Sequence, residues 1–247
     1  VTRTLTLVFF SRYADHRDLP SFPTRRSSDL SLSGAIRAQG SKVPVTLFCF
    51  RYAPGLQEMF VRIDRNSYRG VTLSSANMIG PVNAAVINGR VTIHQEITDR
   101  EGVKSWPVIA RAKVGLIADP LVVLLPRKRG NGPAYRTFVV DRSKSEFPPG
   151  SYQLINFSPY PGRCRVGGRS ALSASGTVQK RQPIGVPGKM MSVEFEYHDG
   201  ERWRRMTTTR WAYRNDRRSL LCLYLDPADK RMKLRSIPDR VITPATA

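Results

Sequence analysis

The stretch FPPGSYQLINFSPYPGRCRVGG at residues 147–168 decides the fold class. It alternates turn residues with short apolar runs. A Pro-Gly turn at 147–150 precedes an expected strand at 152–157, and a second turn at 158–162 leads into a strand at 163–166. The two-residue period of that last strand places Cys164 and Val166 on one face and its two arginines on the other. Strands this short, separated by Pro and Gly, indicate an all-β chain.

The same pattern extends along the chain in both directions. The continuous apolar run Leu121–Pro126 predicts a central buried strand, and the pairs Asn88-Gly89 and Asp199-Gly200 each predict a β-hairpin with a two-residue turn. No segment has the i, i+3, i+4 pattern of an amphipathic helix over ten or more residues. We therefore expect roughly ten to twelve strands in an antiparallel sandwich or barrel. The sequence reveals no internal repeat.

The first 30 residues differ from the rest of the chain. Residues 11–30 have no strand or helix period and mix Pro20 and Pro23 with charges and serines, a composition typical of disorder. Their end, LPSFPTRRSSDL, resembles the peptide obtained when a sequencing adapter is translated in frame. This resemblance implies that residues 1–30 are not native and that the natural start is missing. The rival interpretation is a secretory signal built on the short apolar run Leu5–Phe10.

The remaining chain divides into a folded part and a tail. Residues 31–240 are expected to form the β-sandwich domain, and residues 241–247 a flexible tail. The basic, turn-rich connector 127–133 is the candidate boundary between two sub-domains. No apolar run approaches the ~18 residues of a membrane-spanning helix.

The charge balance is strongly basic. The chain has 40 Lys and Arg against 19 Asp and Glu, a formal net charge of +21. The excess is spread out, with +8 in residues 31–133 and +11 in residues 134–240. This balance is compatible with a solvated basic surface. It also favours an anionic partner, such as nucleic acid, an acidic polysaccharide or the head groups of a cell envelope.

Few residues are suited to catalysis or metal binding. Cys49, Cys164 and Cys222 form no Cys-x-x-Cys pair, so no structural zinc site is expected. Their apolar contexts predict buried thiols, and their odd number permits at most one internal disulfide. His94 and His198 each lack a second ligand at metal-binding spacing.

The other polar residues fit structural roles. The serines of segment 173–177 have no nucleophile-elbow pattern. Glu194 and Glu196 alternate with apolar residues on a sheet face and do not suggest an acid–base pair. We therefore expect no enzymatic activity, no metal and no cofactor.

One cluster favours binding. A segment near the C-terminus combines arginines with tryptophans: Arg202, Trp203, Arg204, Arg205, Arg210, Trp211 and Arg214. Arginines and aromatic rings on a sheet can hold the phosphates and bases of single-stranded nucleic acid, and they can also bind acidic glycans. The structural alternative is that the tryptophans pack in the core while the arginines line a solvated face.

Two segments resemble a group of bacterial secreted β-sandwich proteins of unknown function. They are the opening stretch at 147–168 and the three-stranded end WRRMTTTRWAYRNDRRSLLCLYLDPADKRMKLRSIPD at 203–239. The resemblance covers about residues 105–239. It implies an immunoglobulin-like sandwich, a location in the periplasm or outside the cell, and no known activity.

These patterns predict an all-β, antiparallel immunoglobulin-like β-sandwich that is not an enzyme. We expect it to be secreted or periplasmic and to bind a partner protein or an anionic envelope surface or glycan. The alternative is a basic nucleic-acid-binding β-barrel protein. The candidate anion-binding residues are the five arginines and two tryptophans of the C-terminal cluster.

Overall fold

The computed structural model describes residues 41–127, 132–181, 186–226 and 228–240. Within these residues the regular structure is entirely β, with eighteen strands and no helix. Among the described residues there is accordingly no helix long and apolar enough to span a membrane. The predicted all-β class is confirmed, and the strands outnumber the ten to twelve expected. The leader 1–30 and the tail 241–247 lie outside the described residues.

The first half of the chain contributes ten strands. They are β1 (Lys42–Cys49), β2 (Glu58–Arg62), β3 (Tyr68–Thr72), β4 (Ile79–Ala85), β5 (Arg90–His94), β6 (Ile97–Thr98), β7 (Lys104–Ser105), β8 (Val108–Lys113), β9 (Pro120–Pro126) and β10 (Tyr135–Asp141). They form one sheet of order β10-β9-β1-β4, a second of order β3-β2-β5-β8, and the small hairpin β6-β7.

The second half contributes eight strands. They are β11 (Tyr152–Asn156), β12 (Gly162–Val166), β13 (Arg169–Ser173), β14 (Val178–Arg181), β15 (Met190–His198), β16 (Trp203–Ala212), β17 (Arg217–Leu225) and β18 (Met232–Arg240). Their two sheets have the orders β14-β11-β17-β18 and β13-β12-β15-β16.

The two halves share one pattern of strand pairing. Strands β1–β5 and β8–β10 correspond in order to β11–β18, and each of their six pairings recurs with the same direction. Even the irregularity between Ile93 and His94 in the β5–β8 pair recurs between Phe195 and Glu196 in β15–β16. The described chain is therefore a tandem structural repeat, although its sequence reveals no convincing internal repeat.

The boundary between the repeats lies between Asp141 and Tyr152, where β10 ends and β11 begins. The connector 127–133 lies inside the first repeat, because it joins β9 to β10 and those strands pair over seven residues. Residues 128–131 of this connector lie outside the described residues.

Parallel pairing occurs once in each repeat and in an identical register. Thr46 of β1 lies opposite Leu121 of β9, and the corresponding Gln153 of β11 lies opposite Leu220 of β17. All the other pairs are antiparallel, so the expectation of antiparallel sheets holds except for these two central pairs. Parallel neighbours need a long crossover, and here most of each repeat lies between the two strands.

Three hydrophobic clusters lie between successive sheets. The first contains residues from both sheets of the first repeat, the third contains residues from both sheets of the second, and the middle cluster joins the β1 sheet to the β11 sheet. In β1, Leu47 belongs to the first cluster and its neighbour Phe48 to the middle one. The central strands are thus buried on both faces, which explains why their sequences are continuously apolar.

The hairpin predicted at Asp199-Gly200 is confirmed, whereas the one predicted at Asn88-Gly89 is wrong, because the strands on either side of that turn belong to different sheets. Ile87 and Arg90 exchange backbone hydrogen bonds of 2.9 and 3.0 Å around Asn88 and Gly89, whose φ angles of 49° and 69° suit a type I′ turn. This turn carries the chain from one sheet to another, whereas the Asp199-Gly200 turn closes the hairpin of adjacent strands β15 and β16.

Candidate anion-binding site

The two tryptophans of the C-terminal cluster lie on opposite faces of β16. Trp211 is paired with Met191, and its ring packs 5.8 Å from the ring of Tyr152 at the third hydrophobic cluster. Trp203 is paired with His198 and lies beneath the guanidinium of Arg163, 4.4 Å from the ring centre. The two rings therefore cannot form one aromatic binding surface.

Three arginines of the cluster are held by carboxylates. Arg204 pairs with Asp199, Arg205 with Glu194 at 3.2 Å, and Arg214 with Asp216 at 2.6 Å. The pKa of Asp199 is held far below its usual range, first by the backbone amide of Arg202 and then by the guanidinium of Arg204. These cations are partly neutralised before any ligand arrives.

The outward-facing surface of β12, β15 and β16, called here the compensated face, alternates charges across its strands. Arg163 donates to Glu196 at 2.6 Å, and Arg165 donates to Glu194 at 2.9 Å. The hydrogen bond from Arg163 lowers the pKa of Glu196. The two glutamates therefore serve as hydrogen-bond partners for arginines across the sheet.

Only part of the predicted cluster remains available for an anion. Arg202 and Arg210 are exposed, and no carboxylate among the described residues lies within ion-pair distance of either side chain. They lie at different ends of β16, with Arg202 in the hairpin turn and Arg210 opposite Ser192. The cluster is thus two separate cations and three ion pairs.

A different group of cations lines a cleft of about 550 Å³ in the first repeat, called here the basic cleft. Its charged lining residues are Arg90, Arg111, Lys113 and Arg136, and no carboxylate lines it. All four side chains are exposed, and no described acidic residue is within ion-pair distance of them. The basic cleft is therefore a concentration of uncompensated positive charge.

Strand pairing fixes the positions of these cations. Arg90 lies directly opposite Lys113 in the β5–β8 pair, and Thr92 lies opposite Arg111. Arg136 comes from β10, the edge strand of the neighbouring sheet. The hydroxyl of Thr137 donates to the carbonyl oxygen of Arg111 at 2.7 Å, which joins the two edge strands that form the walls.

Arg136 lies close to a second arginine and to an aromatic ring. Burial lowers its pKa first, and the nearby positive charge of Arg127 lowers it further. Its guanidinium lies 4.7 Å from the ring centre of Phe138. A nearby anion would relieve the repulsion between the two arginines, because opposite charge favours the protonated guanidinium.

The repeat explains why one outer face is compensated and the other is not. The pairing makes Thr92 and His94 of β5 equivalent to Glu194 and Glu196 of β15. The first repeat therefore lacks the two carboxylates that neutralise arginines in the second. The sequence does show that β5 contains no acidic residue. Only the strand register shows which cations are left without a carboxylate partner as a result.

His94 is a structural residue. It is buried, its Nδ1 lies 2.8 Å from the carbonyl oxygen of Trp106, and its Nε2 lies 2.9 Å from the hydroxyl of Thr92. Burial lowers its pKa, with smaller contributions from Arg62 and Arg111. Burial thus favours the neutral form of His94, and both of its ring nitrogens lie within hydrogen-bond distance of a partner.

The remaining candidate residues also have structural surroundings. His198 accepts a hydrogen bond from the backbone amide of Gly200 at 3.2 Å within the hairpin turn. Cys49, Cys222 and Cys164 are buried in the first, middle and third clusters respectively. Burial raises the pKa of Cys49 to about 11. Within the described residues, no three His, Cys, Asp or Glu side chains come together as a metal site.

Two further cavities differ from the basic cleft in character. One, of about 690 Å³, is lined by Glu58 and Glu96 and by no cation. The other, of about 470 Å³, lies where the repeats meet and is lined mainly by apolar side chains.

Neither a protein-family model nor a curated protein matches this chain.

Proposed function

We propose that this protein is a non-enzymatic module that binds an anionic polymer of the cell envelope, such as an acidic glycan, through the basic cleft. The observation that carries the proposal is the group of four cations without a carboxylate among them. The net charge of +21 supports it, because long-range attraction would raise the local concentration of a polyanion. A secreted or periplasmic location fits this partner and rests on the resemblance of residues 147–168 and 203–239.

We further infer that each repeat is an immunoglobulin-like β-sandwich. The support is that two four-stranded sheets share one hydrophobic cluster in each repeat. A rigid sandwich suits a binding role because it positions side chains from edge strands without a large change of shape.

The shape of the basic cleft favours a chain over a compact ion. Three of its cations lie on the outer face of β5 and β8, and the fourth lies across the cleft on β10. An extended polyanion can contact both walls and exchange its condensed counterions for these side chains. Binding of this kind weakens steeply as the salt concentration rises.

The test is the binding of fluorescent dextran sulfate at several salt concentrations. The double variant Arg111→Gln/Lys113→Gln removes two cleft cations, and we expect it to bind roughly tenfold more weakly. The slope of log affinity against log salt concentration should also become smaller in magnitude by about 1.5 to 2. The matched control is Arg202→Gln/Arg210→Gln, which removes the same charge from the predicted C-terminal cluster.

The two double variants give opposite results under the two hypotheses. If the basic cleft is the site, the control binds within about twofold of the natural chain at a fixed salt concentration. If the control loses affinity and the cleft variant does not, the site is on β16 and the proposal is wrong. No measurable binding by the natural chain at low salt would refute the whole proposal.

Nucleic acid is the second candidate partner. The observation in its favour is the partly exposed pair Tyr68 and Trp106, whose rings stack 4.4 Å apart and lie next to His94. Aromatic rings near cations can stack with unpaired bases. Competition between a single-stranded oligonucleotide and dextran sulfate separates the two partners, because base stacking would make the oligonucleotide the stronger competitor at equal charge.

A further inference from the structure

The cavity at the meeting of the repeats, called here the junction pocket, is built from equivalent positions of both repeats. Phe50 follows β1 and Phe157 follows β11, and their rings meet edge to face at 5.1 Å. Leu125 of β9 and Tyr224 of β17 hold equivalent register positions and line the same pocket. The pocket thus lies at the carboxyl ends of the two parallel strand pairs.

The lining of the junction pocket is mainly apolar. Phe50 and Phe157 are buried, while Leu125 and Tyr224 are partly buried. The hydroxyls at its edge are already used, since Ser158 donates to Asn156 and Ser175 donates to the carbonyl oxygen of Ser158. A ligand in this pocket would therefore gain affinity from apolar contact and little from these serines.

Charge at the rim is positive. Arg136 lines both the junction pocket and the basic cleft, so the two cavities meet at its side chain. Arg51 also lines the pocket, and its only described carboxylate partner, Asp226, lies at 3.4 Å and is shared with Lys233. An apolar pocket that opens beside an unpaired arginine complements a molecule with an apolar chain attached to an anionic group.

We propose that the junction pocket binds the alkyl chain of an anionic amphiphile whose head group lies against Arg136. The chemical class is a single acyl or alkyl chain bearing a phosphate or carboxylate. A volume of about 470 Å³ falls within the range of small-molecule sites. This inference rests on the proposed function, because the ligand it describes is the anion of the basic cleft with an alkyl chain attached to it.

The experiment compares the binding of butyl phosphate and octyl phosphate below the concentration at which octyl phosphate aggregates. Each buried methylene should strengthen binding by about fourfold, so octyl phosphate should bind at least about tenfold more tightly than butyl phosphate even if only half of the added chain is buried. Equal affinity for the two phosphates would overturn the proposal.

Two variants locate the chain. Ser175→Trp places a large ring at the exposed edge of the junction pocket and should abolish the preference for octyl phosphate, whereas Ser175→Ala should keep it. If Ser175→Trp fails to fold, Pro159→Trp fills the same pocket from another exposed position. A preference for octyl phosphate that survives a folded blocking variant would place the chain elsewhere and refute the assignment.

The head group is tested separately. Arg136→Gln should weaken both phosphates by a similar factor and leave their ratio unchanged. Dextran sulfate binding to the unsubstituted chain distinguishes failure of the two proposals. If that chain binds the polymer but prefers neither phosphate, the junction pocket alone is refuted, and if it binds no polymer at low salt, the proposed function is refuted.

Discussion

Replacing Asp239 by asparagine should destabilise the protein more than any change to a surface ion pair. Asp239 is 4% exposed and accepts hydrogen bonds from two arginines. Arg142 contacts both carboxylate oxygens at 3.0 and 3.1 Å, and Arg218 contacts one at 2.8 Å. Arg218 is itself 5% exposed, so the substitution leaves a buried guanidinium without its counter-charge.

The expected loss follows from that burial. Removing one partner of a buried ion pair costs about 3–5 kcal/mol, because the remaining charge stays desolvated. The midpoint of thermal unfolding should fall by roughly 6–20 °C, at about 2–4 °C for each kcal/mol in a chain of this size. The same network links the repeats, since Arg218 also donates to the carbonyl oxygens of Arg142 and Phe147 in the segment between β10 and β11.

The assay is urea unfolding at neutral pH, with Asp216→Asn as the matched control. Asp216 also pairs with two arginines, Arg214 and Arg217, but its side chain is 53% exposed. Exposed pairs of this kind contribute about 0–1 kcal/mol. If Asp239→Asn loses no more free energy of unfolding than Asp216→Asn, the buried network contributes no more to stability than an exposed ion pair does.

Two further predictions concern the core and its response to pH. Phe157→Ala should cost about 3–5 kcal/mol in urea unfolding, because the ring contacts Phe50 and Phe138 between the repeats, while Leu172→Ala, at 63% exposure, should cost under about 1 kcal/mol. Because burial lowers the pKa of His94 in the folded state, the unfolded chain binds the proton more readily, and stability should fall as pH drops below about 6.5. Urea midpoints from pH 7.5 to 5 should show a smaller decline for His94→Gln than for the natural chain, and an equal decline would contradict the role given to His94.

Local features of the fold were accessible from the sequence because they depend on neighbouring residues. The strand at 163–166 has Cys164 and Val166 buried and Arg165 exposed, as its two-residue period predicted. The run Leu121–Pro126 is a central strand, as its continuous apolar sequence predicted. The strand is apolar throughout because it is buried on both faces. Short polar edge strands such as β13 and β14 were missed because RSALS and VQKR contain no apolar run.

The repeat was not accessible in the same way. The evidence for the repeat is the pairing pattern, because residues at equivalent positions differ in chemistry. Phe60 lies opposite His94 in the first repeat, whereas Arg163 lies opposite Glu196 in the second. A weak trace exists in sequence: LFCF and LINF share Leu and Phe at the same spacing, and Pro-Gly follows each at the same distance (Pro54-Gly55 and Pro161-Gly162). Two such short matches indicate a repeat only after the strand register has shown that the strands correspond.

The charge available at the C-terminal cluster also depends on tertiary contacts. Sequence density of arginine identified residues 202–214, yet available charge depends on what lies across the sheet, and β15 supplies Glu194 to Arg165 and Arg205. The cations of the basic cleft are dispersed over residues 90–136 and form a group only when β5, β8 and β10 come together. Net charge could therefore predict an anionic partner while leaving the location of its site to tertiary structure.

The tandem arrangement also limits where a binding function can evolve. The β1 and β11 sheets are buried on both faces, so substitutions there must preserve packing between three hydrophobic clusters. Only the outer faces and the edges are free to change charge. In the second repeat Glu194 and Glu196 pair with three arginines of the outer face, whereas the first repeat has Thr92 and His94 in their place. Because the two repeats share one pairing pattern but differ in these carboxylates, we assign anion binding to the first repeat. The second repeat contributes part of the lining of the junction pocket.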